Sequence, residues 1–442
     1  MPGTGNAGMV LWNAGFEFFC VNDMNASRNF LLRCKGPGVT YFCLILAMLS
    51  VIATQAGAVS MTWDGNTRLY DIDFRPENFL DINSYQFRPS EDIRWYGVEN
   101  GWRVAGGSLE SNRAYLYTDI RLKRPITPNF SARLSWNDEE LSAPRDPERP
   151  LLELELRPSA WPVFLSLLGA PAYAKSEAEL GAAVSLGVRP WDYLRVAWLR
   201  PDFYYNEKND VDGSYYRHAP NQIAVETAYQ WGDRFQLRLA WHDNKPQEFV
   251  LDNQVSVFAY RNQNYQGSFD YRRDPEHTMG VAVRGFETRQ SRDDAGVGRV
   301  QNISYDSVNA YWIRAMDRDK QWTVGVRADD FRNRERDPSD PAAEFDFLFT
   351  TIQIYSDYCR PFSSQQAWEL GLYLGDVTKR RDYRDTAITD RRQNFFEAIL
   401  RTGWDIFSID HSTALALGVS WNLDDLIHDS FDGGSVRFRA EF

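Results

Sequence analysis

Apolar residues recur at every second position along most of the chain from Trp102 to the C-terminus. In the segment 130–137, Phe, Ala, Leu and Trp alternate with Ser, Arg, Ser and Asn, and the segments 235–242, 322–329 and 368–375 repeat this pattern. A period of two places alternate side chains on opposite faces of a β-strand, whereas a helix repeats every 3.6 residues. The pattern therefore predicts an all-β chain whose strands have one apolar face and one polar or small face.

The spacing of these segments indicates how the strands connect. Each segment is close to the ~10 residues that a tilted strand needs to cross a bilayer. Short predicted turns, such as 124–128 and 231–234, alternate with long charged loops, such as 201–220, 244–262 and 376–392. Short turns at one end and long loops at the other are typical of a transmembrane antiparallel up-and-down β-barrel, which has an even number of strands.

Eighteen segments fit this layout, and sixteen is the alternative because the segments at Trp102 and Pro162 are weak. The segments begin near Trp102, Arg113, Thr127, Pro150, Pro162, Glu179, Asp192, Asn221, Arg234, Asn264, Thr278, Val300, Gln321, Phe345, Ala367, Gln393, His411 and Gly434. The predicted fold class is therefore all-β, a barrel of about 18 strands. Such a barrel is too wide for its own side chains to fill, so its interior is either a water-filled channel or plugged.

The start of the chain is typical of a signal peptide. Residues 41–53 form an apolar run that follows three basic residues, and Ala56-Gly57-Ala58 supplies a small-residue cleavage site. We expect cleavage after Ala58, with a membrane anchor as the alternative because residues 39–58 are just long enough to span a bilayer. The chain thus divides into an N-terminal extension and signal peptide (1–58), a periplasmic segment or lumen plug (59–100) and the barrel (101–442).

Composition excludes several classes of protein. The 442 residues include 61 acidic and 49 basic side chains, a net charge of −12, which argues against a nucleic-acid partner. Only one of the four cysteines, Cys359, lies beyond the predicted cleavage site, so a disulfide framework is excluded. The histidines are scattered without metal-ligand spacing, and we expect no metal and no cofactor.

The last eight residues, SVRFRAEF, form the most specific motif in the chain. They place Val436, Phe438, Ala440 and Phe442 on one face and charged residues on the other, and the chain stops on the aromatic residue. This motif resembles the C-terminal signature of Gram-negative outer-membrane β-barrel proteins, whose terminal Phe is recognised by the barrel-assembly machinery. The resemblance implies location in the cell outer membrane and contact with its lipid and lipopolysaccharide, and the predicted signal peptide implies export through the inner membrane.

Strand parity predicts which charged and aromatic side chains face the interior. The predicted pore-lining residues are Arg133, Arg157, Arg195, Arg238, Arg284, Arg327, Arg401, Glu153, Glu226, Glu369 and Glu397. The inward aromatic residues Tyr115, Tyr117, Tyr193, Phe349, Tyr355 and Tyr373 are candidates for stacking against sugar rings. One interpretation of the charges is a pore whose guanidinium groups guide anionic solutes, because a guanidinium binds a carboxylate through two hydrogen bonds. The alternative, favoured by the near-balance of charge, is a ladder of ion pairs that keeps the wall rigid.

We therefore expect an outer-membrane channel for passive passage of small polar or anionic solutes, without a catalytic site. One alternative is an export pore for an anionic polysaccharide, similar to the alginate-export barrels, which also have an arginine-bearing lumen. A second alternative is a barrel lipid hydrolase. His428-Asp429-Ser430 has a spacing similar to that of the His and Ser of outer-membrane phospholipase A, although no third catalytic residue is identifiable.

Overall fold

The computed structural model describes the chain from residue 98 onward, with gaps. The described residues are 98–109, 113–141, 151–157, 162–170, 178–187, 192–200, 203, 215–250, 255–294, 296–316, 320–340, 342, 344–424, 426–427 and 430–442. The predicted signal peptide, its cleavage site, almost all of the 59–100 segment, His428 and Asp429 lie outside them. Within the described part of the chain, no helix is long and apolar enough to cross a membrane.

The described residues form nineteen strands. They are β1 (Gly101–Leu109), β2 (Arg113–Thr127), β3 (Phe130–Leu141), β4 (Leu151–Leu156), β5 (Val163–Ala170), β6 (Glu179–Gly187), β7 (Tyr193–Arg200), β8 (Tyr215–His218), β9 (Gln222–Trp231), β10 (Phe235–Val250), β11 (Ser256–Arg272), β12 (His277–Asp294), β13 (Val297–Ala315), β14 (Gln321–Arg336), β15 (Phe345–Ser363), β16 (Gln366–Tyr383), β17 (Arg391–Phe407), β18 (Thr413–Asn422) and β19 (Phe431–Glu441). Each of the eighteen predicted starting points lies inside one of these strands or within a few residues of its first residue. The short strand β8 is additional.

These strands pair into one closed antiparallel barrel. The first strand, β1, pairs along its whole length with β2 on one side and with the last strand, β19, on the other. The other strands pair with their neighbours in sequence, except that β7 pairs directly with β9. The short strand β8 extends the ladder on β10 beyond the residue where β9 begins. The ring therefore contains 18 strands, which confirms the predicted fold class and strand number and excludes sixteen.

Two of the predicted long loops are largely strand. β10 continues to Val250 and β11 begins at Ser256, inside the predicted loop 244–262. Similarly, β16 continues to Tyr383 and β17 begins at Arg391, inside the predicted loop 376–392. These extensions carry polar and charged residues on the face that is apolar elsewhere, so the alternation that predicts a strand is lost. Main-chain pairing between neighbouring strands nevertheless continues through them.

The two faces of the wall differ in chemistry. On β7, Tyr193, Arg195 and Ala197 are buried on the inner face, whereas the alternating Leu194, Val196 and Trp198 are 40–47% exposed on the outer face. The same contrast occurs around the ring. Exposed apolar side chains on the outer face include Leu165, Val184, Val281, Val326, Ile352, Leu372, Trp404 and Leu417. A continuous apolar exterior of this extent is far larger than the isolated patches of soluble monomers.

The exposed apolar side chains of the outer face form a belt around the barrel, and this apolar belt has defined edges. On β14 the outer face is apolar from Trp322 to Ala328 and then charged from Asp330. Ala328 stands opposite Ile352, and Ile352 stands opposite Asp376, so the belt ends at one level on neighbouring strands. At the short-turn edge, aromatic side chains contact one another in pairs. These pairs are Tyr229 with Trp231, Phe235 with Tyr271, Trp312 with Trp322, and Tyr358 with Trp368, with ring centroids 4.5–5.7 Å apart.

Candidate functional site

An ion-paired triad crosses the inner wall from β4 to β9. Arg195 Nη2 lies 3.1 Å from Glu153 Oε1, and Arg195 Nη1 lies 3.5 Å from Glu226 Oε1. The side chains of Arg195 and Glu153 are only 7% and 6% exposed. The intervening strands present small inward residues, Ser166 on β5 and Ser185 on β6. The guanidinium can therefore lie along the wall and reach a carboxylate three strands away.

A second inner-wall cation, Arg238, is ion-paired with a carboxylate, Asp270, that also accepts a hydrogen bond from a tyrosine hydroxyl. Arg238 Nη2 lies 2.9 Å from Asp270 Oδ2. The hydroxyl of Tyr311 donates to the other oxygen of the same carboxylate at 2.5 Å. Asp270 is 3% exposed, so both of its oxygens are engaged in a buried part of the wall. A buried carboxylate with two such donors is firmly positioned.

A third group combines Arg327, Asp329 and Tyr305. Arg327 Nε lies 2.8 Å from Asp329 Oδ2, and Arg327 Nη2 donates to the Tyr305 hydroxyl at 3.2 Å. The Tyr305 hydroxyl in turn donates to Asp329 Oδ1 at 2.7 Å. The Arg284 guanidinium lies over the Tyr305 ring, 5.9 Å from its centroid. Two of the predicted pore-lining arginines therefore meet at one tyrosine.

A fourth group lies near the short-turn end of the barrel. Arg437 Nη2 lies 2.9 Å from Glu369 Oε2, three strands away, and a Cβ at Gly403, on the intervening strand β17, would come within 2.9 Å of that oxygen. Cys359 and Asp405 are adjacent, with Sγ 3.8 Å from Oδ2. The three ligand-type groups of Cys359, Glu369 and Asp405 lie within 4.8 Å of one another. Because Arg437 already places a cation against Glu369, this cluster does not require a metal.

The remaining predicted pore-lining residues have varied surroundings. Arg133 lies 3.4 Å from Glu99 Oε1. Arg157 follows the end of β4 and lies over the Phe164 ring, 5.1 Å from its centroid. Glu397 Oε2 accepts a 3.1 Å hydrogen bond from Gln353, and Arg401 is 2% exposed. Arg133, Arg195, Arg238 and Arg327 thus each have a carboxylate partner, and a pore-lining role for the whole predicted set stays a prediction.

The candidate sugar-stacking residues contact other side chains of the inner wall. We call the ion pairs and hydrogen bonds between inner-wall side chains the wall network. The rings of Tyr355 and Tyr373 are stacked with centroids 5.9 Å apart. Their hydroxyls donate to Asn309 at 3.0 Å and to Asp357 at 2.7 Å. Tyr193 and Phe349 are buried, and the side chains of Tyr115 and Tyr117 lie outside the described part of the structure.

Sequence reasoning missed an apolar cluster on the inner wall beyond the belt. It comprises Phe286, Ile303, Tyr305, Phe331, Phe347, Phe349 and Val377. Lys379 lies over the Phe349 ring and Arg381 over the Phe347 ring, at 5.4 and 5.3 Å from the centroids. At this level the polarity of the two faces of the wall is reversed, because the apolar Phe347 is buried on the inner face while the charged neighbour Asp346 faces outward. The sequence signal that could have predicted this cluster is the phenylalanine at every second position of the segment 345–349, FDFLF.

The C-terminal motif completes the outer face at the point of closure. Phe438 packs against Trp102 of β1 with ring centroids 5.2 Å apart. Ala440 stands opposite Trp102, and Val436 is 50% exposed. Phe442 is 69% exposed, and its main-chain N donates to Asn100 O at 3.1 Å. The four residues therefore lie on the apolar exterior, and their recognition by an assembly machinery stays a prediction.

Comparisons with known proteins reveal only distant structural similarity. No protein-family model and no curated protein sequence matches the chain. The chain is similar to the outer membrane protein OprD from Pseudomonas aeruginosa (9% identity, 77% of this chain and 92% of that chain, TM-score 0.36). It is also similar to P. aeruginosa OccK2 (OpdF) in complex with glucuronate (12%, 77% and 96%, TM-score 0.34) and to a bacterial polysaccharide outer membrane secretin (8%, 78% and 99%, TM-score 0.34).

Proposed function

We propose that this protein is an outer-membrane channel through which small polar solutes pass passively. The observation that carries the proposal is the sidedness of a closed wall, apolar and edged by aromatic residues outside, and charged inside. In a bilayer, all main-chain groups of a spanning sheet need partners, which a closed barrel supplies. The outer face of β17 from Phe396 to Trp404 spans roughly 20 Å along an axis inclined by about 40°, close to the apolar band of ~25 Å in such barrels.

The inner wall favours polar solutes with little discrimination by charge. Guanidinium and carboxylate groups are both present on the inner wall and pair with one another, as in the triad of Arg195 with Glu153 and Glu226. Such a wall can replace the hydration of a polar solute with hydrogen bonds. Because Arg195, Arg238 and Arg327 are paired with carboxylates, the attraction of these arginines for a free anion is partly cancelled. We therefore propose weak charge selectivity, which distinguishes this channel from an anionic-polysaccharide exporter with a strongly cationic lumen.

The test is ionic conductance of the refolded 59–442 chain in a planar bilayer under a salt gradient. We expect steady open steps and a reversal potential close to zero. Arg195→Gln should shift the reversal potential towards cation selectivity, because Glu153 and Glu226 then lose their cation. Glu153→Gln should shift it the opposite way.

The matched control is Arg273→Gln, in the exposed turn between β11 and β12, which should leave selectivity unchanged. Absence of conductance from a folded barrel would contradict the channel. A strong anion preference, together with block by a carboxylated polysaccharide, would instead favour the export pore.

A further inference from the structure

Arginines are concentrated on the outer face of the wall just beyond the apolar belt. Arg332 and Arg334 on β14, Arg380 on β16 and Arg392 on β17 occupy outward positions, and we call them the basic strip. The side chains of the first three are 66%, 63% and 52% exposed, and Arg392 is also exposed. These cations therefore stand on the side of the wall that faces away from the solute path.

The strand register forces like charges together. Arg380 stands directly opposite Arg392, and Leu348 stands opposite both Arg380 and Arg332, so three arginines share one row across β14 to β17. Side chains directly opposite in an antiparallel pair have Cβ atoms about 5 Å apart, and like charges at such positions are destabilising. An anion on this surface would relieve the repulsion.

The local charge is positive although the whole chain is acidic. The basic strip carries four guanidinium groups, and three carboxylates, those of Asp330, Asp346 and Asp382, pair with three of them, while the protein as a whole has a net charge of −12. Of the opposed pair, Arg380 is ion-paired, with its Nη2 2.8 Å from Asp382 Oδ2. Within the described residues, Arg392 makes no ion pair. The opposed pair of Arg380 and Arg392 thus has one ion pair, that of Arg380 with Asp382, among the described residues.

Neighbouring carboxylates hold the other guanidinium groups against the exterior. Arg332 contacts both oxygens of Asp330, at 3.0 and 2.7 Å, and Arg334 Nε lies 2.8 Å from Asp346 Oδ1. Exposed ion pairs of this kind contribute little to stability, about 0–1 kcal/mol. The guanidinium groups are therefore oriented along the outer face, and exchanging a carboxylate for a stronger dianion costs little.

The height of the basic strip selects the ligand. Asp376 and Phe396 stand opposite each other at the edge of the apolar belt. Arg380 and Arg392 stand opposite each other four residues farther along the same two strands, on the side away from the belt. At the usual rise and tilt this is about 10 Å along the barrel axis, the level of lipid headgroups. Given the membrane location in the proposed function, we propose that the basic strip binds the phosphate groups of a phosphorylated glycolipid in the surrounding leaflet. The planar fork of arginine matches phosphate oxygens, and the outward position favours a lipid over a free solute.

The experiment measures binding of a bisphosphorylated, acylated disaccharide lipid to the folded barrel in neutral detergent by native mass spectrometry. We expect the double variant Arg380→Gln/Arg392→Gln to bind this lipid at least about tenfold more weakly. The fully dephosphorylated lipid should bind as weakly to the original protein as the phosphorylated lipid does to the variant. The matched control, Arg234→Gln/Arg273→Gln, removes two exposed charges from the short turns at the other end and should leave binding unchanged.

Three outcomes would overturn the proposal. These are equal binding by the double variant, equal binding of the dephosphorylated lipid, and full competition by millimolar inorganic phosphate, which would identify a free-phosphate site. Arg332→Gln provides a second variant on another strand, for which a smaller loss of affinity is expected. Conductance of each preparation separates this test from the channel proposal, because loss of lipid binding with normal conductance contradicts only the basic strip.

Discussion

The hydroxyl of Tyr311 on β13 donates a 2.5 Å hydrogen bond to Asp270 on β11, although β12 lies between these strands. The intervening residue in the row is Gly280, which stands opposite both. The ring of Tyr311 lies where a side chain at position 280 would be. On the outer face the same three strands repeat the arrangement, with Tyr265 donating to Asp306 at 2.6 Å across Gly285. Glycine in these rows therefore lets side chains join strands that are not neighbours.

Gly280→Ala should destabilise the barrel by about 1–3 kcal/mol, because the added methyl group overpacks the wall. Its Cβ would lie 2.5 Å from both Asp270 Oδ1 and the Tyr311 ring. Urea unfolding of the barrel in lipid vesicles measures the change. Gly169→Ala is the matched control, since its Cβ would meet its nearest atom at 3.7 Å. Equal stability of the two variants would contradict the role of the glycine.

Val184→Arg should destabilise the inserted barrel by about 2–4 kcal/mol, the cost of a cation near the middle of the lipid-facing band. Val184 is 48% exposed on the outer face of β6. Unfolding from vesicles again provides the measurement. Thr378→Arg places the same charge on the outer face of β16 beyond the belt edge, and should change stability by less than about 0.5 kcal/mol. Similar values for both variants would contradict the membrane assignment of the belt.

Asp410 should titrate unusually low. Hydrogen bonds from the Ser408 hydroxyl and from the main chain and hydroxyl of Ser412 lower the pKa of Asp410 from 3.8 to about 2. A lowered pKa means that the ionised carboxylate stabilises the turn between β17 and β18 above pH 3.8, and that this contribution is lost as the pH falls through about 2. A carboxyl carbon NMR titration of the folded barrel should show the low midpoint. A midpoint at 3.8 would show that the turn does not favour the ionised form.

Deletion of Phe442 should reduce the amount of barrel assembled in cells several-fold while leaving the purified barrel almost as stable. The side chain is 69% exposed, so its loss should change the free energy of unfolding by less than about 1 kcal/mol. Quantifying the folded protein in outer-membrane fractions, alongside unfolding of the purified barrel, separates the two effects. Ile409→Ser is the control, because Ile409 is an 87% exposed apolar residue in a short turn at the same end. Normal assembly without Phe442 would contradict the predicted signal.

The wall network illustrates what sequence reasoning could reach at the candidate site. Parity alone placed Arg195 and Glu226 on the same face of their strands, because alternation is a local property of the chain. It could not pair Arg195 with Glu153, which lies 42 residues earlier and three strands away. It also could not pair Glu369 with Arg437 at a separation of 68 residues. Those contacts depend on the register of several ladders added together.

The sequence by itself determined the all-β class and the apolar exterior, because both follow from a period of two within single segments. It predicted about eighteen strands with sixteen as the alternative, and the closure of β1 on β19 fixed the number at eighteen. Tertiary structure decided where strands continue past the edge of the apolar belt, since pairing with a neighbour extends β16 into a segment with no apolar alternation. It also decided that Arg380 meets Arg392 and that Phe347 turns inward while Asp346 turns outward. The physical reason is that cross-strand distance is set by register and closure, which no single segment encodes.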